Sequence, residues 1–89
     1  MKAVITVTGK DTVGIIADVS AVCANRGANI REITQNVLDE YFAMIMIASL
    51  DGLNIPFADF VDKLAALGKD RGLDIHTMHE DIFNTMHHI

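Results

Sequence analysis

The sequence predicts an α+β domain in which four antiparallel strands carry two helices on one face, in the chain order β-α-β-β-α-β. Three observations predict it. The hydrophobic pattern changes period along the chain: strand-like stretches at 3–8, 29–38, 41–50 and 73–78 alternate with two segments whose apolar residues recur at helical spacing. The two helical segments end alike, in Asn25-Arg26-Gly27-Ala28-Asn29-Ile30 and in Asp70-Arg71-Gly72-Leu73-Asp74-Ile75, as two β-α-β halves would. Between the halves lies the short acidic pair Asp39-Glu40, suited to a hairpin turn although it lacks the glycine of the best two-residue turns.

Each element has its own warrant. Ala3 to Thr8 is rich in β-branched residues and reads as a central strand. Gly9-Lys10-Asp11-Thr12 breaks it, and from about Val13 to Arg26 the apolar positions Ile15, Ile16, Val19, Val22 and Cys23 form one helical face. Asp11 or Thr12 is placed to cap that helix, and Gly27 to take the left-handed residue beyond its end. Residues 29–38 form a second, more polar strand, and Tyr41 to Leu50 a third. Asp51-Gly52-Leu53-Asn54 ends it, and Pro56 falls in the first turn of the next helix. There Phe57, Phe60, Val61, Leu64 and Leu67 share a face, and Gly72 stops the run. Leu73 to Met78 is the fourth strand, and Ile82, Phe83, Met86 and Ile89 mark a last short amphipathic turn. Right-handed crossovers order the strands 4-1-3-2, the split βαβ arrangement of ferredoxin-like folds.

The 89 residues make a single domain, 1–89, with its core over 3–80 and a helical tail over 81–89. A chain of this length buries roughly 60–65% of its unfolded surface, enough for a modest core without staples. That core is aliphatic, because half of the residues are hydrophobic and Trp is absent. Twelve acidic residues against seven scattered basic ones give a net charge of −5, which repels a phosphate backbone and argues against nucleic acid. The single cysteine, Cys23, reads as a buried small hydrophobe in a reducing compartment. With no apolar leader and no run of about 18 apolar residues, the expected setting is the cytoplasm, with no membrane contact.

The third strand poses a physical question. Phe42-Ala43-Met44-Ile45-Met46-Ile47-Ala48 is apolar at every position, whereas helices on one side of a sheet cover only alternate residues. A second copy of the chain, or the C-terminal segment, must cover the other set, and a homodimer is expected.

The loop before the first helix carries the functional expectation. A strand exit, Gly14 and a helix start present free backbone N–H groups that suit a small carboxylate. At this level the residues resemble an ACT domain, the regulatory βαββαβ module found attached to enzymes of amino-acid metabolism and also alone. The resemblance rests on Gly9-Lys10-Asp11-Thr12-Val13-Gly14, on Ile15-Ile16-Ala17-Asp18-Val19-Ser20 and on Gly27-Ala28-Asn29-Ile30. With the tail Glu80-Asp81-Ile82-Phe83-Asn84-Thr85-Met86-His87, the whole string looks like small single-ACT-domain proteins of bacteria and archaea. The resemblance implies an amino-acid effector at a subunit interface, with Asp11, Thr12, Val13 and Gly14 on one side and Asn29 and Ile30 of a neighbour on the other. In this picture Asp11 accepts from the α-ammonium, the amides of Val13 to Ile15 receive the carboxylate, and Asn29 both donates and accepts.

The expected function is therefore a stand-alone regulatory domain that acts on a separate partner enzyme or regulator. It needs no cofactor and has no catalytic residues, since no acid, base and nucleophile fall together. The alternative is a ligand-free dimerisation or interaction module, favoured by Val13 standing where many ligand-binding members carry proline. His76, His79, His87 and His88 suggest a metal only weakly: residues three apart on a strand face opposite ways. Metal ligands are expected to be absent.

Overall fold

Side-chain alternation decides how the strands of this chain pack. In the computed structural model, described for residues 1–86, β1 (Lys2–Lys10) is followed by α1 (Ile15–Asn25), β2 (Asn29–Leu38) and β3 (Tyr41–Ser49). Then come α2 (Phe57–Arg71), β4 (Leu73–His79) and a short α3 (Glu80–Met86). The sheet order is β2-β3-β1-β4 with every pair antiparallel, so the expected topology is the observed one. Ile5 sits between Met46 and Thr77, and Val7 between Met44 and Ile75. Those residues share the face on which Ala3, Ile5, Val7, Phe42, Met44 and Met46 are buried, together with Ile15, Val19 and Cys23 of α1 and Phe60 and Leu64 of α2. Each large side chain of that set contributes about 1.5–3 kcal/mol by leaving water.

The end of α1 is a left-handed stop. Gly27 has φ 80, its N–H donates to the Ala24 carbonyl (3.3 Å), and the Ala28 N–H donates to the Cys23 carbonyl (2.9 Å), the paired bonds of a Schellman motif. A Cβ at Gly27 would stand 2.0 Å from the Gly52 carbonyl oxygen, so only glycine fits. Gly72 closes α2 in the same way at φ 68.

Three expectations are corrected. Helix α1 begins at Ile15, two residues later than predicted, because Gly14 takes a left-handed N-cap conformation (φ 88, ψ 10). Pro56, expected in the first turn of α2, is its N-cap, one residue before Phe57. Ile16, expected on the buried face, is 38% exposed, since the helix presents Ile15 and Val19 to the sheet instead.

The other face of the sheet answers the question raised by β3. Val4, Ile47 and Met78 are register partners there, as are Thr6, Ile45 and His76. Val4 faces away from α1 and α2 yet is only 2% exposed. Among the described residues the helix that approaches both β1 and β4 is α3, which follows β4 directly. Farther along the same face Ile45 and Tyr41 remain 46% and 55% exposed. Strand β2 is an edge, exposed at every position from Arg31 to Leu38, with a bulge between Ile30 and Glu32. Ile89 of the expected last turn lies outside the described residues.

Candidate functional site

The loop between β1 and α1 is held at both ends. The Asp11 N–H donates to the Glu40 carbonyl (2.8 Å), which ties the loop to the β2–β3 hairpin, and Gly14 turns the chain into the helix. Neither Asp11 nor Thr12 caps α1: among the described residues the N-cap makes no side-chain bond. The first helical bond runs from the Asp18 N–H to the Gly14 carbonyl (2.9 Å). The amides of Ile15, Ile16 and Ala17 therefore precede the helical ladder. With the Gly14 amide these are the donors at the helix start, a set that shares Gly14 and Ile15 with the expected Val13 to Ile15.

Gly14, Ile15, Ile16 and Ala17 line a cleft of about 260 Å³, room for roughly eight or nine waters at about 30 Å³ each, which is the scale of a small metabolite. Its near wall is Asp11, Thr12, Gly14 and the first turn of α1, and its far wall is Gln35 and Val37 of β2 with Phe42 of β3. Gln35 pairs with Met44 and Val37 with Phe42, so both point to the helix side of the sheet. The arrangement gives hydrogen-bond donors at the helix start, a carboxylate at Asp11, a carboxamide opposite, and an apolar floor.

Val13 lies outside this cleft. Its side chain is 95% exposed, and its carbonyl accepts a hydrogen bond from Arg71 Nη2 at 2.6 Å. The same guanidinium donates through Nη1 to the Asp18 carboxylate. Arg71 thus fastens the end of α2 to the start of α1, and it flanks Gly14, whose missing Cβ would be 3.7 Å from Nη1. Asn29 and Ile30 sit at the opposite end of α1, in a separate groove with Ser20, Ala24, Gly27 and Ala28. An 11-residue helix is about 16 Å long, so the two halves of the expected site do not meet within one chain.

Sequence reasoning missed Gln35, Val37, Phe42 and Arg71. The alternation Ile33-x-Gln35-x-Val37 was the available signal for the β2 residues. Nothing local to Arg71 announced that it would reach residues 53 and 58 positions away.

Other candidates resolve simply. Burial pushes the Cys23 thiol up to about 11, so it is a core residue and not a thiolate nucleophile. His76 and His79 face opposite sides of the sheet, His76 beside Asp74 (3.2 Å) and His79 stacked on Phe57 (ring centroids 4.1 Å apart). His87 and His88 lie outside the described residues. Among the described residues no three His, Cys, Asp or Glu side chains converge as metal ligands, and no helix is long and apolar enough to cross a membrane.

Comparison with known proteins bears directly on this architecture. The family model of the ACT domain matches residues 2–78. A UPF0237 protein of Clostridium acetobutylicum is 44% identical over 89 residues, covering all of both chains. An ACT domain protein from Streptococcus pneumoniae of known structure superposes with a TM-score of 0.81 at 42% identity, covering 93% of each chain. The regulatory subunit of aspartate kinase from Thermus thermophilus superposes with a TM-score of 0.68 at 25% identity, over 89% of this chain and 51% of that one. By sequence and by fold, this chain belongs to the ACT domain family.

Proposed function

We propose that this ACT domain is a regulatory, non-catalytic module that binds a free amino acid between two copies of the chain and thereby alters the activity of a separate enzyme or regulator in the cytoplasm. The observation that carries the proposal is the cleft lined by Asp11, Thr12 and the helix start at residues 14–17 together with Gln35, Val37 and Phe42. The α-carboxylate takes the amides, aided by the positive end of the helix dipole. Asp11 takes the α-ammonium, and Gln35 supplies a donor and an acceptor. Similarity to a kinase regulatory subunit supports a regulatory role for the family member.

The partner copy enters through β2. An exposed edge strand of ten residues is a template for pairing with its own twin. An antiparallel β2–β2 pair with its two-fold near Thr34 sets Ile30 of a second copy opposite Val37, once the bulge at Arg31 is counted. Asn29 of that copy then falls opposite Leu38, at the mouth of the cleft. In this dimer Asp11, Thr12 and Gly14 of one chain join Asn29 and Ile30 of the other, while Val13 stays outside the cleft with its carbonyl on Arg71.

A thermal-shift screen over the common amino acids tests the proposal. A ligand at 100 times its Kd stabilises the fold by about 2.7 kcal/mol, an increase in Tm of about 10–20 °C for a domain this small. A flat response to every amino acid overturns it. The second reading, a ligand-free dimerisation module, is favoured by the open β2 edge, which pairs without any ligand. It predicts that Asp11→Ala and Asn29→Ala leave self-association and partner capture unchanged.

A further inference from the structure

The exit of β1 and the entry of β4 lie side by side, since Gly9 pairs with Leu73 across the sheet. Helix α2 ends just before that entry, so its last residue, Arg71, is delivered to the back of the loop that leads into α1. The front of the same loop is the cleft, which Gly14 lines and which neither Val13 nor Arg71 lines. One peptide unit joins the two sides. Its carbonyl, that of Val13, accepts from Arg71 Nη2 at 2.6 Å. The unit is trans, so its N–H, that of Gly14, is directed opposite to the carbonyl and away from Arg71. Among the described residues that N–H has no acceptor on the chain.

The same guanidinium also deals with a charge. Asp18 stands in the first turn of α1, where its carboxylate would oppose an anion drawn to the helix start. Arg71 Nη1 donates to that carboxylate, and the pair is only partly exposed, 24% for Arg71 and 44% for Asp18.

We infer that Arg71 is a positioning residue of the amino-acid cleft, an inference that rests on the proposed function and states how its carboxylate subsite is made. Through Val13, Arg71 turns the 13–14 peptide so that the Gly14 N–H is presented to the ligand carboxylate. Through Asp18 it offsets the one negative charge in the first helical turn. Asp11, in the cleft, is left to take the ammonium. A guanidinium does both at once because its donors form a fixed fork, which an ammonium lacks. Polarising the carbonyl also strengthens the N–H of the same unit as a donor. Glycine at 14 completes the arrangement. A Cβ there would stand 3.7 Å from Nη1, and the φ of 88 lets the chain pass from that peptide straight into the helix. Arg71 touches no ligand itself and acts only through Val13, Gly14 and Asp18.

NMR titration of the ¹⁵N-labelled full chain tests it, with each common amino acid as probe and its carboxamide, which lacks the carboxylate, as control. The amide resonances of Gly14 to Ala17 are expected to move with the amino acid and not with the carboxamide. Arg71→Ala, titrated where its spectrum is that of a folded chain, is expected to bind about tenfold more weakly or worse, the scale of a lost hydrogen bond to a charged group. Arg71→Lys keeps a charge for Asp18 and loses the fork, so it is expected to fall between, and it carries the comparison if Arg71→Ala does not fold. Asp18→Asn separates positioning from mere fastening of α2 to α1. It breaks the ion pair but leaves the Val13 carbonyl held, and it is expected to bind no more weakly than the parent. The double variant Asp18→Asn with Arg71→Ala is expected to bind more tightly than Arg71→Ala, because the uncompensated carboxylate is gone. Equal affinity of Arg71→Ala and the parent overturns the inference and leaves the proposed function standing. So does Asp18→Asn as weak as Arg71→Ala, the result that mere fastening predicts, or a double variant no tighter than Arg71→Ala. If no amino acid moves the parent's resonances, the proposed function itself fails and this inference falls with it.

Discussion

Alanine at Gly14 and alanine at Gly27 are superficially the same experiment, since both glycines hold positive φ, 88 and 80. Their surroundings make them different. An L side chain in the left-handed region costs about 1–2 kcal/mol by itself. At Gly14 the added methyl meets nothing closer than Arg71 Nη1 at 3.7 Å, an ordinary contact, so the strain is the whole effect. At Gly27 the methyl lies 2.0 Å from the Gly52 carbonyl oxygen and 2.9 Å from its carbon, so the backbone there must move. That turn is bonded to the helix end by the Asn54 N–H to the Arg26 carbonyl (2.9 Å) and by Asn54 Nδ2 to the Asn25 carbonyl (3.1 Å). Losing both bonds adds about 1–3 kcal/mol at roughly 0.5–1.5 each. Gly27→Ala is therefore expected to destabilise by about 2–5 kcal/mol, against a total stability of about 5–15 kcal/mol for a domain. Gly14→Ala is expected to cost about 1–2 kcal/mol, a fall in Tm of about 4–16 °C. Urea denaturation at one fixed protein concentration measures both, since self-association makes stability depend on concentration. If Gly27→Ala is no more destabilised than Gly14→Ala, the close approach of the 25–28 and 51–54 turns is wrong.

Three further outcomes follow from the site and core. Arg71→Ala removes two charge-assisted bonds between the helix ends and is expected to cost about 1–3 kcal/mol by denaturation, with Arg71→Lys recovering only part because lysine lacks the fork. Gln35→Ala is expected to leave Tm without ligand within about 1 °C, as the residue is exposed, yet to abolish the amino-acid thermal shift. Cys23 sets a pH dependence: its folded value is about 11 against 9.0 unexposed to the fold, so the folded chain favours the neutral thiol. Its stabilisation is fully present below pH 9 and is lost as pH rises to about 11, by about 2–3 kcal/mol at ~1.4 per unit. The difference in stability between the protein and Cys23→Ala, followed from pH 8 to 11, is expected to narrow by that amount.

The strands and helices were legible because this chain states its periods plainly. Ile5 and Val7 alternate with Thr6 and Thr8, Phe60, Leu64 and Gly68 recur at helical spacing, and Gly27 and Gly72 end their helices where expected. Helix starts were less legible. Asp11 and Thr12 have the chemistry of caps, but a glycine able to turn left-handed at position 14 displaces them, and the helix starts two residues along. Tertiary placements were not legible at all. Arg71 reaches Val13 only because α2 ends beside the start of α1, a consequence of the crossover and not of local pattern. Gln35 was readable as facing the helices from strand alternation, yet which end of α1 it meets depends on strand register.

The position of Asn29 has a physical consequence that sharpens the functional proposal. Within one chain it lies about a helix length from the cleft, and Gln35 supplies the carboxamide there instead. Under the proposed function a single copy would grip a zwitterion on one side only, since the cleft is bounded by β2, an edge strand. Closing the other side takes a second β2, and a ligand gripped from both sides favours the paired state by the difference in its affinity for the two. Ligand binding and dimerisation must then strengthen each other by the same factor. An amino acid that raises Tm should therefore tighten the β2-mediated dimer in sedimentation to an equal degree, and Asn29→Ala should weaken both the thermal shift and that tightening. A ligand that binds with no effect on assembly would place the whole site within one chain.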